Sequence, residues 1–185
     1  AKSALGNKQE AIADYDKVIS LDPKVSSAYH NRGDVKFELG NKQAAIADYN
    51  KAISRDPKYA NSYNSRGVAK YSLGNLRGAI ADFEQAISID PQLAISYSNI
   101  AFVKYDLSDI PGAIDSWRKS LKLSNNEPDA QLGLAVALYR QGQTAEAVQL
   151  AKAAISKEKR STNLEFLRKN RNWSETIIKD AIELF

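Results

Sequence analysis

Apolar residues recur along the chain with the spacing of an amphipathic α-helix. Around the middle of the first hundred residues they fall at Ala45, Ile46, Tyr49, Ala52 and Ile53. These positions are i, i+1, i+4, i+7 and i+8, which lie on one stripe of a helix. The pattern therefore predicts a helix whose apolar stripe must be buried against another element.

A second stripe precedes this one and predicts a partner helix. It contains Tyr29, Gly33, Phe37 and Leu39, and it ends at Gly40, where a backbone with positive φ costs a glycine little. Glycine inside a helix costs about 0.5–1 kcal/mol relative to alanine. We therefore expect the second helix to approach closely at Gly33.

The helix pair repeats every 34 residues. The predicted turn residues are Gly6, Gly40, Gly74, Ser108 and Gly142, and the prolines after the second helix are Pro23, Pro57 and Pro91. The residue before a proline avoids the helical conformation, so each second helix should end at an Asp-Pro pair. One pair cannot bury its apolar stripe alone, whereas stacked pairs can. The predicted fold is all-α, a right-handed superhelical α-solenoid of helix-turn-helix repeats.

These residues resemble the tetratricopeptide repeat (TPR) family, most clearly over residues 26–59. The residues at the family's signature offsets there are Tyr29, Gly33, Gly40, Ala45, Tyr49, Ala52 and Pro57. The amino-acid sequence of this repeat is similar to that of bacterial TPR proteins, and the resemblance covers about residues 1–161. We expect a truncated repeat whose first helix is mostly missing, four full repeats and C-terminal capping helices, at residues 1–25, 26–59, 60–93, 94–127, 128–161 and 162–185.

Several residues depart from the family pattern. Arg32 and Arg66 replace a leucine, and we expect each to pair with a nearby carboxylate. Lysines replace an aromatic residue at Lys36, Lys70 and Lys104, and we expect their stems to cover apolar surface while the ammonium groups reach water. At the end of the chain, Thr162–Glu165 fits a capping box and Ser174 fits the cap of a last helix. We expect this last helix to cover the end of the array.

Composition argues against catalysis. The chain has no cysteine and a single histidine, His30. It therefore has too few of the residues that form nucleophile–base pairs or His and Cys metal sites. No phosphate-binding glycine loop or GxSxG motif is present. We predict no enzymatic activity, no metal and no cofactor. His30 is interpreted as a surface residue, and the recurring aspartates as a solvated helix face.

The family resemblance implies a ligand groove along the first helix of each pair. Carried onto this chain, the implied partner-binding residues are Phe37, Asn61, Asn64, Val68, Tyr71, Ser98, Asn99, Phe102, Tyr105, Leu132, Val136 and Tyr139. We call these the groove residues. Aromatic and aliphatic anchors with scattered amides suit an extended or helical peptide of a partner protein, rather than a small molecule. The aromatic groove residues could equally pack between helices.

The resemblance also allows one ligand class to be set aside. TPR proteins that bind the C-terminal Glu-Glu-Val-Asp of heat-shock proteins hold two carboxylates with basic groove residues. The matching positions here include His30, Asn64 and Ser65, so that clamp is absent.

Two other functions stay open. The apolar edge of the first repeat, Leu5, Ile12, Tyr15 and Ile19, could support a homodimer. The segment 156–171 holds six basic and two acidic residues and so carries the whole net charge of +4. It could contact an anionic surface, either nucleic acid, which we do not expect, or a membrane.

The compartment is not indicated by the sequence. No signal-peptide pattern and no apolar run of membrane-spanning length is present, so we take the cytoplasm as the default.

Overall fold

The structure is a computed structural model that describes residues 2–125, 127–157, 163, 165, 167 and 173–184, with only the backbone described for residues 2–5. Within these residues the chain is all α-helical. The helices are α1 (Lys2–Leu21), α2 (Ser26–Glu38), α3 (Lys42–Arg55), α4 (Ala60–Tyr71), α5 (Leu76–Ile89), α6 (Ala94–Asp106), α7 (Ile110–Leu123), α8 (Pro128–Arg140), α9 (Thr144–Lys157) and α10 (Glu175–Leu184).

Consecutive helices pack in pairs. The most extensive contacts join α2 to α3, α4 to α5, α6 to α7 and α8 to α9, and further contacts join α1 to α2, α3 to α4 and α7 to α8. The prediction of an all-α helical repeat is therefore confirmed. The chain divides into two compact units, Ala1–Pro91 and Gln92–Phe185, which are described separately below.

The turns inside the pairs follow the predicted chemistry with two differences. Gly40, Gly74 and Gly142 have φ of 82°, 79° and 79°, as a helix-ending glycine allows. Ser108 takes the same left-handed conformation, with φ of 64°, although it has a side chain. Gly6, by contrast, lies inside the continuous helix α1, so the expectation that it ends a helix is wrong.

The close approach predicted at the helix glycines is confirmed in the first unit. A Cβ atom on Gly33 would lie 2.7 Å from Cε1 of Tyr49, and one on Gly67 would lie 2.6 Å from Cε1 of Phe83. Both aromatic rings are almost fully buried. The ring of the second helix therefore packs directly on the backbone of the first, which explains why glycine is needed at these two positions.

Buried ion-pair clusters join the helices of the first unit. Arg32 donates from Nε and Nη2 to the two carboxylate oxygens of Asp48, at 2.9 and 2.5 Å, and Lys36 Nζ lies 2.7 Å from the same carboxylate. Arg66 and Lys70 hold Asp82 in the same way, at 2.9, 2.7 and 2.7 Å.

These clusters confirm the carboxylate partners expected for the arginines and correct two other expectations. Asp48 and Asp82 are each only 4% exposed, so they do not form a solvated face. Lys36 and Lys70 are ion-pair partners rather than snorkelling residues. Lys104 binds the Ser116 hydroxyl at 3.1 Å. The repeat places the lysine beside the buried polar residue of the second helix, which the sequence pattern alone did not reveal.

Candidate functional site

The groove residues of the first unit lie on α2 and α4 with different exposure. Phe37 packs against the core formed by Ala45, Tyr49 and Ala69. Asn61 is exposed. The remaining groove residues of this unit are half-buried, namely Asn64, Val68 and Tyr71. Phe37 therefore packs between helices, which was the alternative to ligand binding. The exposed side chain of Asn61 is accessible to a partner.

A buried polar cluster lies beside these residues. The Ser62 hydroxyl is 3.2 Å from Nδ1 of His30, and Asp34 Oδ2 is 3.3 Å from Nε2 of His30. Tyr49 donates its hydroxyl proton to Asp34 Oδ1 at 2.8 Å. The His30 ring also lies 4.9 Å from the Tyr59 ring, centroid to centroid. His30 is 7% exposed, so its assignment to the helix surface is wrong.

Burial lowers the pKa of His30 below its ordinary value, and the charge of Asp34 opposes this only in part. Burial also raises the pKa of Tyr49, and the Asp34 carboxylate adds to that effect. At neutral pH the cluster therefore holds a neutral imidazole and a neutral phenol around one carboxylate.

The order Ser62–His30–Asp34 has the residue types of a hydrolase triad but lacks the access that a nucleophile needs. Ser62 is 0% exposed, so a substrate carbonyl has no route to its hydroxyl. The residues one repeat away, Ala28 and Ser96, are also small and buried. The small side chain at Ser62 is thus explained by close helix packing, and the cluster gives no positive sign of catalysis.

In the second unit, α10 lies across α6 and α8. Trp173, just before α10, packs against Phe102 with ring centroids 5.4 Å apart, and Phe102 meets Trp117 edge-on at 5.1 Å. Ile177 and Ile178 are each 1% exposed. The contacts of α10 are with α6 and α8, and the expectation that the C-terminal helices cap the array stays a prediction.

Polar contacts orient α10 on this surface. Tyr105 donates its hydroxyl to Asp180 Oδ2 at 2.5 Å, and Arg140 Nη1 lies 3.1 Å from the same oxygen. The Ser174 hydroxyl binds Asp106 and also accepts the Ile177 N–H at 3.4 Å, which confirms the predicted cap. Burial, followed by the hydrogen bond to Asp180, raises the pKa of Tyr105. These groups form a polar border around an apolar centre.

Most groove residues of the second unit are buried, and two of them, Phe102 and Tyr105, contact the C-terminal segment. Those that are buried are Ser98, Phe102, Tyr105, Leu132 and Val136, and those that are half-buried are Asn99 and Tyr139. The sequence did not indicate that Trp173, Asp180 and Arg140 belong to this surface. Apolar periodicity predicted α10, but a helix's own pattern does not say which neighbour it packs on.

Other kinds of site find little support in the described part of the chain. No three His, Cys, Asp or Glu side chains there lie close enough to hold a metal ion. None of the helices within the described ranges combines the length and apolar character needed to cross a bilayer. Thr162–Glu165 and the basic segment fall largely outside the described residues. In that segment, Lys157 donates to the carbonyl oxygen of Asn125 at 2.6 Å.

Comparison with solved structures finds several similar helical proteins, all below 25% identity, which shows a shared fold. Pseudomonas aeruginosa PilF matches with a TM-score of 0.79 and 21% identity over 98% of this chain and 84% of that chain. YrrB, described as a TPR protein with an unusual peptide-binding site, matches with a TM-score of 0.67 and 18% identity over 92% and 91%. The first TPR of Spaghetti (RPAP3), bound to the HSP90 peptide SRMEEVD, matches with a TM-score of 0.61 and 20% identity over 63% and 93%.

Comparison by sequence finds matches to models of protein families. No curated protein matches the chain. The TPR repeat model matches residues 33–74, 67–108 and 103–142, which together span more than half of the chain. Two further tetratricopeptide repeat models match residues 1–25 and 129–160. Together with the helix pairs described above, these matches show that the chain belongs to the tetratricopeptide repeat family.

Proposed function

We propose that this chain is a protein–protein interaction scaffold without catalysis of its own, and that it holds a peptide or helix of a partner protein on its groove residues. One observation carries the proposal: in the second unit α10 packs on α6 and α8, and two groove residues, Phe102 and Tyr105, contact Trp173 and Asp180. The TPR fold is a common interaction module, and YrrB and RPAP3 are both described with peptides.

The contacts of α10 indicate which chemistry such a partner needs. Apolar anchors occupy the centre, as Trp173, Ile177 and Ile178 do here. An acidic residue at the border can accept hydrogen bonds from Tyr105 and Arg140, as Asp180 does. Buried apolar anchors supply most of the affinity in such interfaces, and polar borders supply orientation. The proposed partner segment is therefore an amphipathic helix with an acidic border.

The proposal predicts that α10 can be displaced from the groove residues and replaced by a free peptide. Ile177→Asp/Ile178→Asp places two charges in the apolar centre and should displace α10. A labelled peptide of residues 173–184 should then bind this variant in trans, measured by fluorescence anisotropy. Binding to the unaltered chain should be at least tenfold weaker, because an attached segment competes at an effective concentration of about 1 mM.

Two control variants make this test specific. Ile182, on the exposed side of α10 at 57% exposure, should tolerate Ile182→Asp without opening the groove. In the displaced background, Tyr105→Phe removes only the hydroxyl that binds Asp180 and should weaken the peptide. If the displaced variant stays helical by circular dichroism and binds no peptide at about 1 mM, the groove residues are not a helix-binding surface.

Self-association and anionic-surface contact stay predictions. Among the edge residues, Ile12, Tyr15 and Ile19 are half-buried, which leaves them partly accessible for a homodimer. Light scattering tests the first and a salt titration with acidic vesicles tests the second, since binding driven by charge weakens steeply with salt.

A further inference from the structure

In the described part of the chain, Asp34 of α2 has hydrogen-bond partners but no cation. One oxygen of its carboxylate accepts the Tyr49 hydroxyl at 2.8 Å, and the other lies 3.3 Å from Nε2 of His30. Both partners are neutral at neutral pH, because burial raises the pKa of Tyr49 and lowers the pKa of His30. Among the described side chains, no lysine or arginine lies within ion-pair distance of Asp34. Its negative charge is therefore left without a balancing charge among these residues.

Related carboxylates of the same chain each have a cation. The buried aspartates of α3 and α5 each contact an arginine and a lysine. In the second unit, Tyr105 donates its hydroxyl to Asp180, and Arg140 Nη1 lies 3.1 Å from the same carboxylate oxygen. Asp34 receives the equivalent hydroxyl from Tyr49 but lacks the arginine. The position that Arg140 fills beside Asp180 is therefore open beside Asp34.

The Asp34 carboxylate is accessible from the side of α2 that faces α4. Asp34 follows His30 by one helical turn, so the two side chains lie on the same face of α2. Nδ1 of His30 contacts the Ser62 hydroxyl of α4, which places this face toward α4. The side chain of Asp34 is 44% exposed, whereas that of His30 is 9% exposed. A segment bound along α2 and α4 would therefore cover Asp34.

An aromatic ring beside the carboxylate favours a cationic ligand. The Tyr59 ring is half-buried and lies 4.9 Å from the His30 ring, centroid to centroid. Burial, and then the charge of Asp34, raises the pKa of Tyr59, so the phenol lies within the field of the carboxylate. The face of an aromatic ring attracts a positive charge. A carboxylate and a ring together suit the side chain of lysine or arginine.

We propose that Asp34 determines the specificity of the groove residues in the first unit, by selecting a partner segment that carries a lysine or an arginine. This inference rests on the proposed function, because it assigns a chemistry to a partner bound on the groove residues. A segment that covers Asp34 without a cation buries an unbalanced charge, whereas a segment with a cation forms a partly buried ion pair. The carboxylate therefore selects by repelling wrong partners as well as by attracting the right one.

Peptide display provides a test that does not require the natural partner. The probe is a phage library of random peptides, selected on the immobilised 185-residue chain. Val68→Asn removes an apolar groove residue without adding charge, so peptides that lose binding to this variant are taken as bound on the first unit. These peptides should share a lysine or an arginine. Replacing that residue by norleucine should weaken binding at least about tenfold in fluorescence anisotropy, the loss of one partly buried ion pair.

Variants of Asp34 make the result specific. Asp34→Asn removes the charge but keeps an oxygen that accepts the Tyr49 hydroxyl, and circular dichroism confirms that the chain stays folded. This change should weaken the selected peptides at least about tenfold. Asp34→Lys should instead bind the same peptides once their basic residue is replaced by glutamate. Glu84→Gln, a matched loss of charge at an exposed residue of α5, should leave the affinity unchanged.

The outcomes separate this inference from the proposed function. Peptides that depend on Val68 but share no basic residue, or that bind Asp34→Asn with full affinity, overturn the inference and leave the proposed function standing. Peptides that all bind Val68→Asn with unchanged affinity, or a library that yields no binder, overturn both. Loss of affinity on Asp34→Asn but not on Glu84→Gln supports the inference, and recovery by the glutamate peptides on Asp34→Lys supports it further.

Discussion

At the residue scale, Ser108 shows that a repeat position can override the preference of its side chain. It has φ of 64° where three other turns place glycine. The left-handed conformation costs a residue with a Cβ about 1–2 kcal/mol, and the greater freedom of glycine in the unfolded chain offsets part of that. The neighbouring packing of the repeat holds the turn in place despite this cost.

We expect Ser108→Gly to raise the free energy of unfolding by about 0.5–1 kcal/mol, measured by urea denaturation. The converse change, Gly74→Ser, should lower it by a similar amount, because Gly74 has φ of 79° and no atom near its would-be Cβ. A stabilising Gly74→Ser or a destabilising Ser108→Gly would contradict the account of the turn.

A second residue-scale prediction concerns His30. Its pKa is lowered in the folded chain by burial, so the folded state disfavours the charged form. The stability that depends on neutral His30 is full above the unfolded pKa of about 6.5 and is lost as the pH falls below it. His30→Gln should remove this dependence.

The measurement is urea denaturation of the wild type and of His30→Gln between pH 7.5 and 5.5. The difference between their free energies of unfolding should shrink as the pH falls. A difference that stays constant or grows toward acid pH would show that protonation of His30 is not disfavoured in the folded chain.

At the element scale, buried ion pairs tie α2 to α3 and α4 to α5. Removing one partner of a buried carboxylate leaves a charge without compensation. Arg66→Ile leaves Asp82 with Lys70 alone and should lower the free energy of unfolding by about 2–4 kcal/mol.

The chain contains a natural control for this change. The third pair has Ile100 and Ser116 at the equivalent positions, and Lys104 binds the Ser116 hydroxyl. Arg66→Ile/Asp82→Ser copies that arrangement and should restore stability to within about 1 kcal/mol of the wild type. If the double variant is less stable than Arg66→Ile, the arginine acts through contacts other than Asp82, such as its 2.6 Å hydrogen bond to Asn50.

The same elements show how far the sequence could predict the structure. The 34-residue spacing predicted the helix pairs, the glycine turns and the close contact at Gly33, because each depends on residues within one repeat. It could not predict the burial of Asp48 or His30, since burial depends on which face of a helix meets its neighbour. The placement of α10 on α6 and α8 was also out of reach, because this helix lies beyond the periodic part.

At the scale of the whole molecule, we propose that the groove residues bind an apolar helix with an acidic border. The division into repeats at residues 26–59, 60–93, 94–127 and 128–161 remains our proposal for how this surface is built.

Photo-crosslinking from single sites tests whether partners bind at the groove residues. Benzoylphenylalanine is placed at Asn61, the exposed groove residue of α4, or at Lys51, an exposed residue of the second helix α3. Each labelled chain is irradiated in a lysate, and its adducts are identified by mass spectrometry. We expect partner adducts from Asn61 that a groove variant, Val68→Asp, abolishes, and few adducts from Lys51. Adducts that form equally from Lys51, or that persist in Val68→Asp, would show that partners do not bind at the groove residues.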